Sequence, residues 1–130
     1  MEQKKTVRTH KQVTNLLTLR DSAPENLVQF RHVELYLDGG PRYCIVGYAL
    51  RLAGLTDATI AKWEREELGD SICRLMNSGY GLSGEEVLDL YEANDNPLPE
   101  KDRYVRVIEE INRLIDQTEF APLSADNPVG

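Results

Sequence analysis

Six segments of the chain repeat apolar residues at the spacing of an α-helix. This spacing predicts helices near residues 9–20, 44–53, 57–68, 70–77, 84–94 and 100–117. Thr9 with Gln12, and Ser83 with Glu86, have the spacing of a capping box, which marks the starts of the first and fifth helices. Gly69 stands where glycine commonly ends a helix, so the third helix is predicted to end before it.

The stretch 31–37 alternates apolar and polar residues, which is typical of a strand. The alternating positions hold Val33, Leu35 and Leu37 on one face and His32, Glu34 and Tyr36 on the other. The run DGG at 38–40 is a strong turn signal. We therefore predict a β-hairpin with strands at 31–37 and 42–44 and a turn at 38–41. A hairpin this small needs helices to pack on.

Together these elements predict a mostly helical α+β fold, with five to six helices and one small β-hairpin in a single domain. A chain of 130 residues is long enough to bury one such core. We assign 1–8 to a flexible basic arm, 9–117 to the globular domain and 118–130 to a loose C-terminal tail. The helical phase places Cys73, Leu88 and Val105 on the buried faces of the fourth, fifth and sixth helices.

The formal net charge of −7 is distributed unevenly along the chain. Basic residues are concentrated in 1–11, whereas 83–100 contains six acidic residues and no lysine or arginine. Nucleic-acid binding needs a basic footprint, so this acidic body argues against it. The longest apolar run is too short to span a bilayer, and no apolar signal segment opens the chain. We expect a cytoplasmic protein that does not enter a membrane.

The two cysteines, Cys44 and Cys73, do not form a disulfide framework, and both are expected to be reduced thiols. There is no Cys-x-x-Cys pair, and His10 and His32 are the only histidines. The sequence therefore predicts no metal site and no cofactor.

Cys44 stands at the start of the second predicted helix, with His32 on the strand before it. Backbone N–H groups at a helix start stabilise a thiolate, and His32 could act as its base. The layout resembles that of papain-like hydrolases, although in those enzymes the histidine follows the cysteine. The simpler interpretation is a buried thiol that behaves as a small apolar side chain.

One side of the second predicted helix is separate from its main apolar arc. This side carries Cys44, Gly47, Tyr48 and Arg51. Asn94 falls within the apolar arc of the fifth helix, and a buried amide must be hydrogen-bonded. We expect Asn94 and Asp95 to join the end of that helix to the Cys44 turn, with Gly47 permitting a close approach.

The fifth helix also carries a row of carboxylates opposite its apolar stripe. They are Glu85, Glu86, Asp89 and Glu92. Such a row is either a solvated face or a docking surface for a basic protein partner. A helix-turn-helix formed by 70–77 and 84–94 would present these carboxylates to phosphates, which argues against that motif.

Two segments, YCIVGYALRLAG and YGLSGEEVLDLYEANDN, resemble a group of small uncharacterised proteins from phages and bacteria, many of them actinobacterial. The group shares a Cys-x-x-Gly-x-Ala helix start and a helix that ends in Asn-Asp, and the matching part covers about residues 35–96. The resemblance implies that Cys44, Gly47, Asn94 and Asp95 form one constellation. It implies no particular activity and leaves open whether this constellation is a ligand pocket or a structural junction.

The sequence favours a small cytoplasmic, non-enzymatic interaction protein, encoded by a phage or mobile element, that binds a host protein through an acidic helical surface. A cysteine-dependent hydrolase or transferase that uses Cys44 and His32 is the alternative.

Overall fold

The computed structural model describes residues 5–35 and 40–121. Within them the chain forms six α-helices and four strands of two or three residues. The helices are α1 (His10–Ser22), α2 (Ile45–Leu52), α3 (Asp57–Arg65), α4 (Gly69–Tyr80), α5 (Gly84–Asn94) and α6 (Glu100–Asp116); the strands are β1 (Thr6–Arg8), β2 (Val33–Glu34), β3 (Arg42–Tyr43) and β4 (Thr118–Phe120). This arrangement confirms the mostly helical α+β fold predicted from the sequence.

Both capping boxes inferred from spacing are present. The Gln12 N–H donates to Thr9 Oγ1, and the Thr9 N–H donates back to the Gln12 side chain. Ser83 and Glu86 exchange the same pair of hydrogen bonds at the start of α5. These bonds satisfy backbone donors that the first turn of a helix leaves unpaired, so the starts of α1 and α5 agree with the predicted positions.

The predicted boundary between the third and fourth helices is wrong. Helix α3 ends at Arg65, and Gly69 begins α4 instead of capping α3. Glu67, with φ of 54°, takes the left-handed conformation that a glycine usually supplies after a helix. Helix α4 then continues to Tyr80, where Gly81 with φ of 67° provides the left-handed cap.

The predicted hairpin is present as a shorter strand pair. Strand β2 pairs antiparallel with β3, with Val33 opposite Tyr43 and Glu34 opposite Arg42. Residues 36–39, which include the first half of the predicted turn at 38–41, lie outside the described residues.

The predicted domain limits are corrected at both ends. Strand β1 pairs in parallel with β4, so residues 6–8 and 118–120 belong to the folded body. The pairing is fixed by Arg8, whose buried guanidinium bonds to groups on several elements. Residues 1–4 and 122–130, which the sequence assigns to the arm and tail, lie outside the described residues.

The core lies where α1, α2, α4, α5 and α6 meet. Its fully buried side chains include Leu16, Ile45, Leu50, Met76, Leu90, Ile111 and Leu114. Cys73 is exposed, Leu88 is largely exposed and Val105 is half-exposed, so the buried placement expected for them is wrong. Cys73 follows the buried Ile72 and Leu88 follows the buried Val87, each about 100° round the helix, whereas Val105 lies two residues from the buried Arg103 and Val107. No helix among the described residues is long and apolar enough to cross a bilayer.

Candidate functional site

Cys44 is the N-cap of α2 and is buried, with 2% of its surface exposed. The Gly47 N–H donates to its Sγ at 3.3 Å, and the Cys44 N–H donates to the His32 carbonyl at 3.3 Å. Burial raises the pKa of the Cys44 thiol to about 12, and the N–H groups of Gly47 and Val46 offset this only in part. The thiol is therefore neutral at neutral pH.

His32 is held by groups other than the thiol. Its Nδ1 lies 3.1 Å from Glu64 Oε2, and its backbone N–H donates to the same oxygen at 2.7 Å. Its Nε2 is hydrogen-bonded to the hydroxyl of Tyr91. Because both ring nitrogens have partners, the ring is oriented by Glu64 and Tyr91 and is not poised to take a proton from Cys44.

Cys44 and His32 nevertheless border one cleft of about 250 Å³. The cleft is lined by Phe30, Arg31, His32, Cys44, Tyr91 and Asp95. Its volume is below the range of roughly 300–1,000 Å³ that small-molecule pockets occupy. The arrangement therefore fits a structural junction with a small surface cleft better than a substrate pocket.

Asn94 joins three parts of the fold at this junction. Its Oδ1 accepts the Ile45 N–H at 2.8 Å, and its Nδ2 donates to the Val28 carbonyl at 2.8 Å and to Asp95 Oδ1 at 3.1 Å. Asn94 is fully buried, and the bond to Ile45 satisfies a free donor at the start of α2. The structure thus places the end of α5 against the Cys44 turn.

Asp95 extends the junction to the loop that precedes β2. Its Oδ1 accepts the Phe30 N–H at 3.0 Å, and its carbonyl accepts from Gln29 Nε2 at 3.2 Å. Gln29 Nε2 also donates to the Asn96 carbonyl at 3.0 Å. The C-terminal end of α5 and this loop are therefore fixed to each other.

Gly47 allows a close approach, but its neighbour is not the one expected. A Cβ at this position would lie 1.8 Å from the backbone oxygen of His32. The segment that needs the bare glycine is therefore the end of the loop just before β2, and Asn94 reaches α2 two residues earlier, at Ile45.

Tyr48 and Arg51, predicted to share the junction, make contacts elsewhere. The Tyr48 hydroxyl donates to the Ser22 carbonyl at 2.9 Å, which ties α2 to the end of α1. Arg51 Nε lies 3.5 Å from Asp57 Oδ1 on α3. The junction proper consists of Cys44, Gly47, Asn94 and Asp95, together with His32.

Two buried arginines form further polar contacts in the interior, and neither was predicted from the sequence. Arg8 donates to the carbonyls of Tyr80 and Leu114 at 3.1 and 3.0 Å, to Thr118 Oγ1 at 2.8 Å and to Glu86 Oε2 at 2.8 Å. Arg8 stands at the end of a basic segment, where no periodic pattern of apolar residues predicts its burial.

Arg103 on α6 donates to the carbonyls of Leu98 at 3.1 Å, Leu27 at 3.0 Å and Asn94 at 3.4 Å. A helical signal for it does exist in the sequence, because Arg103 lies four residues before the buried Val107. Every buried side-chain nitrogen and oxygen of the described residues has a hydrogen-bond partner, so the interior network is complete.

The four carboxylates predicted as a binding row have three different environments. Glu86, with 12% of its side chain exposed, pairs with Arg8 and accepts from Thr6 Oγ1. Burial alone would raise the pKa of Glu86, but the Ser83 N–H and the Arg8 guanidinium outweigh it, so the pKa lies below its ordinary value. Glu86 is therefore part of the fold and not of a docking surface.

Asp89 is half-exposed and lies 3.2 Å from the Arg113 guanidinium on α6. Glu85 and Glu92 are exposed and form no ion pair with any described residue. Between them, at helical spacing, stands Leu88 with 59% of its surface exposed. We refer to Glu85, Leu88 and Glu92 as the outer face of α5.

A groove of about 380 Å³ runs between α5 and α6 beside this face. It is lined by Asp89, Glu92, Ala93, Asn96, Arg106, Glu109, Glu110 and Arg113. Four carboxylates face two guanidinium groups, and Arg113 is bonded to both Asp89 and Glu110. Glu109 and Glu110 extend the acidic region beyond the residues predicted from α5 alone.

No group of three or more His, Cys, Asp or Glu side chains in residues 5–35 and 40–121 is arranged to hold a metal ion.

No protein-family model, curated protein or solved structure matches this chain. The functional argument therefore rests on the chemistry and geometry of its own residues.

Proposed function

We propose that this protein is a non-enzymatic binding module that docks a basic amphipathic segment of a partner protein. The docking site consists of the outer face of α5 and the acidic groove between α5 and α6. The observation that carries the proposal is Leu88, a largely exposed leucine between two exposed glutamates that have no ion-pair partner among the described residues.

The chemistry of this surface selects a basic partner. An exposed leucine gains free energy when an apolar side chain covers it, whereas carboxylates on both sides attract cations and repel anionic partners. A helix with an apolar stripe flanked by lysine or arginine satisfies both requirements, and helix docking into a groove is a common recognition mode.

The acidic composition supports a protein partner over a nucleic acid, and the resemblance to small phage and bacterial proteins supports a partner in the cytoplasm of a host cell. The buried, neutral thiol of Cys44 and the engaged ring of His32 favour this function over cysteine-dependent catalysis.

The proposal is tested with a labelled synthetic helix of leucine and lysine at amphipathic spacing, with binding followed by fluorescence anisotropy. Reversal of charge in Glu85→Lys/Glu92→Lys is expected to weaken binding about tenfold or more, which is about 1.4 kcal/mol. Leu88→Ser is expected to weaken binding at unchanged net charge, because it removes the apolar centre.

The matched control is Glu25→Lys/Glu66→Lys, which makes the same charge change at exposed positions outside the outer face of α5. It is expected to alter the affinity less than threefold. Equal losses in the two double variants would show that only the net charge of the protein matters, and unchanged binding in all three variants would contradict the proposal outright.

A further inference from the structure

Phe30 is the most exposed large apolar side chain among the described residues, with 77% of its surface in contact with solvent. Its backbone has φ of 64°, in the left-handed region that an aromatic residue rarely adopts. Both features cost free energy in the isolated protein, since the ring lies in water and the backbone is strained.

Hydrogen bonds from the loop to the end of α5 and to β3 hold Phe30 in this conformation. Its own N–H donates to Asp95 Oδ1 at 3.0 Å, and the neighbouring Gln29 side chain donates to the carbonyls of Asp95 and Asn96. On the preceding side, the Val28 N–H donates to the Tyr43 carbonyl at 3.0 Å.

The ends of the loop are held equally firmly. The Leu27 carbonyl accepts from the buried Arg103, and the Val28 carbonyl accepts from the buried Asn94. At the other end, the His32 N–H donates to Glu64, and its carbonyl accepts from Cys44. The loop from Leu27 to His32 is therefore a fixed support for one exposed ring.

A rigid support changes the energetics of recognition. Association costs free energy when a loop must be ordered, and a loop that is already held in one conformation avoids that cost. Aromatic side chains that fill a pocket of the partner also supply a large share of the binding energy in protein interfaces. The polar network of the Cys44 junction thus holds the Phe30 ring exposed, in one conformation, before a partner binds.

We propose that the Leu27–His32 loop is a recognition loop whose Phe30 ring inserts into an apolar pocket of a protein partner. Arg31, the next residue, is exposed and forms no ion pair with any described residue, so a carboxylate at the rim of that pocket completes the match. An anionic membrane is a poorer match, because it repels a protein of net charge −7.

This inference is independent of the acidic docking surface, because Phe30 and Arg31 line a different cleft from the groove between α5 and α6. The partner is identified by placing a photo-crosslinker in the full chain, Phe30→p-benzoylphenylalanine, and irradiating an extract of the cells that express it. The control is the same replacement at Val105, a half-exposed apolar residue of α6.

The captured protein is then purified, and its dissociation constant is measured against three variants. Phe30→Asn is expected to weaken binding at least about 30-fold, while its melting temperature is unchanged or higher, because asparagine tolerates a positive φ. Asp95→Ala is expected to weaken binding through loss of the fixed loop, and Arg31→Glu through charge repulsion at the rim.

Three outcomes would overturn the proposal. The first is a lipid adduct, or no discrete protein adduct, at position 30. The second is the same adduct from position 105. The third is a captured protein whose affinity for Phe30→Asn lies within threefold of that for the wild type.

Discussion

Single residues at the Cys44 junction are recognisable in the sequence because each departs from the pattern around it. Asn94 is an amide at a buried helical phase, and Gly47 is a position without a side chain in a mostly apolar helix. Their partners are harder to predict, because those partners lie far away in the sequence and are brought close only by the fold. Gly47 accordingly packs on the backbone of His32 and not on Asn94.

Gly47 provides a direct test of this packing. In Gly47→Ala the new Cβ would overlap the His32 carbonyl oxygen, which no side-chain rotation can relieve. The free energy of unfolding is expected to fall by about 3 kcal/mol or more, as measured by urea denaturation.

Gly79, inside α4, is the matched control, since a Cβ there meets no atom within 4 Å. Gly79→Ala is expected to raise the free energy of unfolding by about 0.5–1 kcal/mol, because alanine restricts the unfolded chain and favours the helix. Equal stability of the two variants would contradict the close contact at Gly47.

The left-handed backbone of Phe30 is a feature of a single residue that the sequence does not predict. The sequence around Phe30 is not rich in glycine or asparagine, so no local pattern predicts a left-handed backbone at this position. The conformation follows from Asp95, 65 positions away, and becomes visible only when the two segments are brought together.

At the scale of elements, the presence of a helix can be predicted from apolar periodicity and capping residues. The exact face of the helix that is buried cannot be predicted in this way. The apolar arcs of α5 and α6 contain more apolar residues than the core covers, so Leu88 and Val105 remain outside. Which side of a broad arc is covered depends on the neighbouring helices, and their positions are set by the whole fold.

The β1–β4 pair cannot be predicted from the sequence, for a related reason. Its strands stand at opposite ends of the chain and are three residues long, too short for alternation to be recognised. The pair is anchored by the buried ion pair of Arg8 and Glu86, which also holds it against α5.

This anchor is expected to make stability depend on pH. The pKa of Glu86 in the folded state lies below its ordinary value of 4.5, so its contribution is present above pH 4.5 and is lost as the pH falls through the folded pKa. Glu86→Gln is therefore expected to be less stable than wild type by about 1.5–3 kcal/mol at pH 7, with a smaller difference below pH 4.

Glu85, the exposed neighbour of Glu86, is the control for that measurement. Glu85→Gln should remain within about 0.5 kcal/mol of wild type at both pH values. A stability difference for Glu86→Gln that does not change between pH 7 and pH 3.5 would contradict the role of the ionised carboxylate.

At the scale of the whole molecule, polar groups of the interior and of the surface have different tasks. Arg8, Asn94 and Arg103 use their hydrogen-bonding capacity to join elements inside the fold. The exposed features are the outer face of α5 and the Phe30 loop. This division agrees with the binding function proposed above, in which the Cys44 junction has a structural role.

We propose that Cys44 belongs to this structural interior and does not act as a nucleophile. Native protein is treated with iodoacetamide at neutral pH, and the labelled sites are read by mass spectrometry. The exposed Cys73 serves as an internal positive control. Iodoacetamide reacts with the thiolate, so the buried Cys44, with its raised pKa, should stay unlabelled until the protein is unfolded. Labelling of native Cys44 as fast as that of Cys73 would contradict this structural role and would favour the cysteine-dependent enzyme.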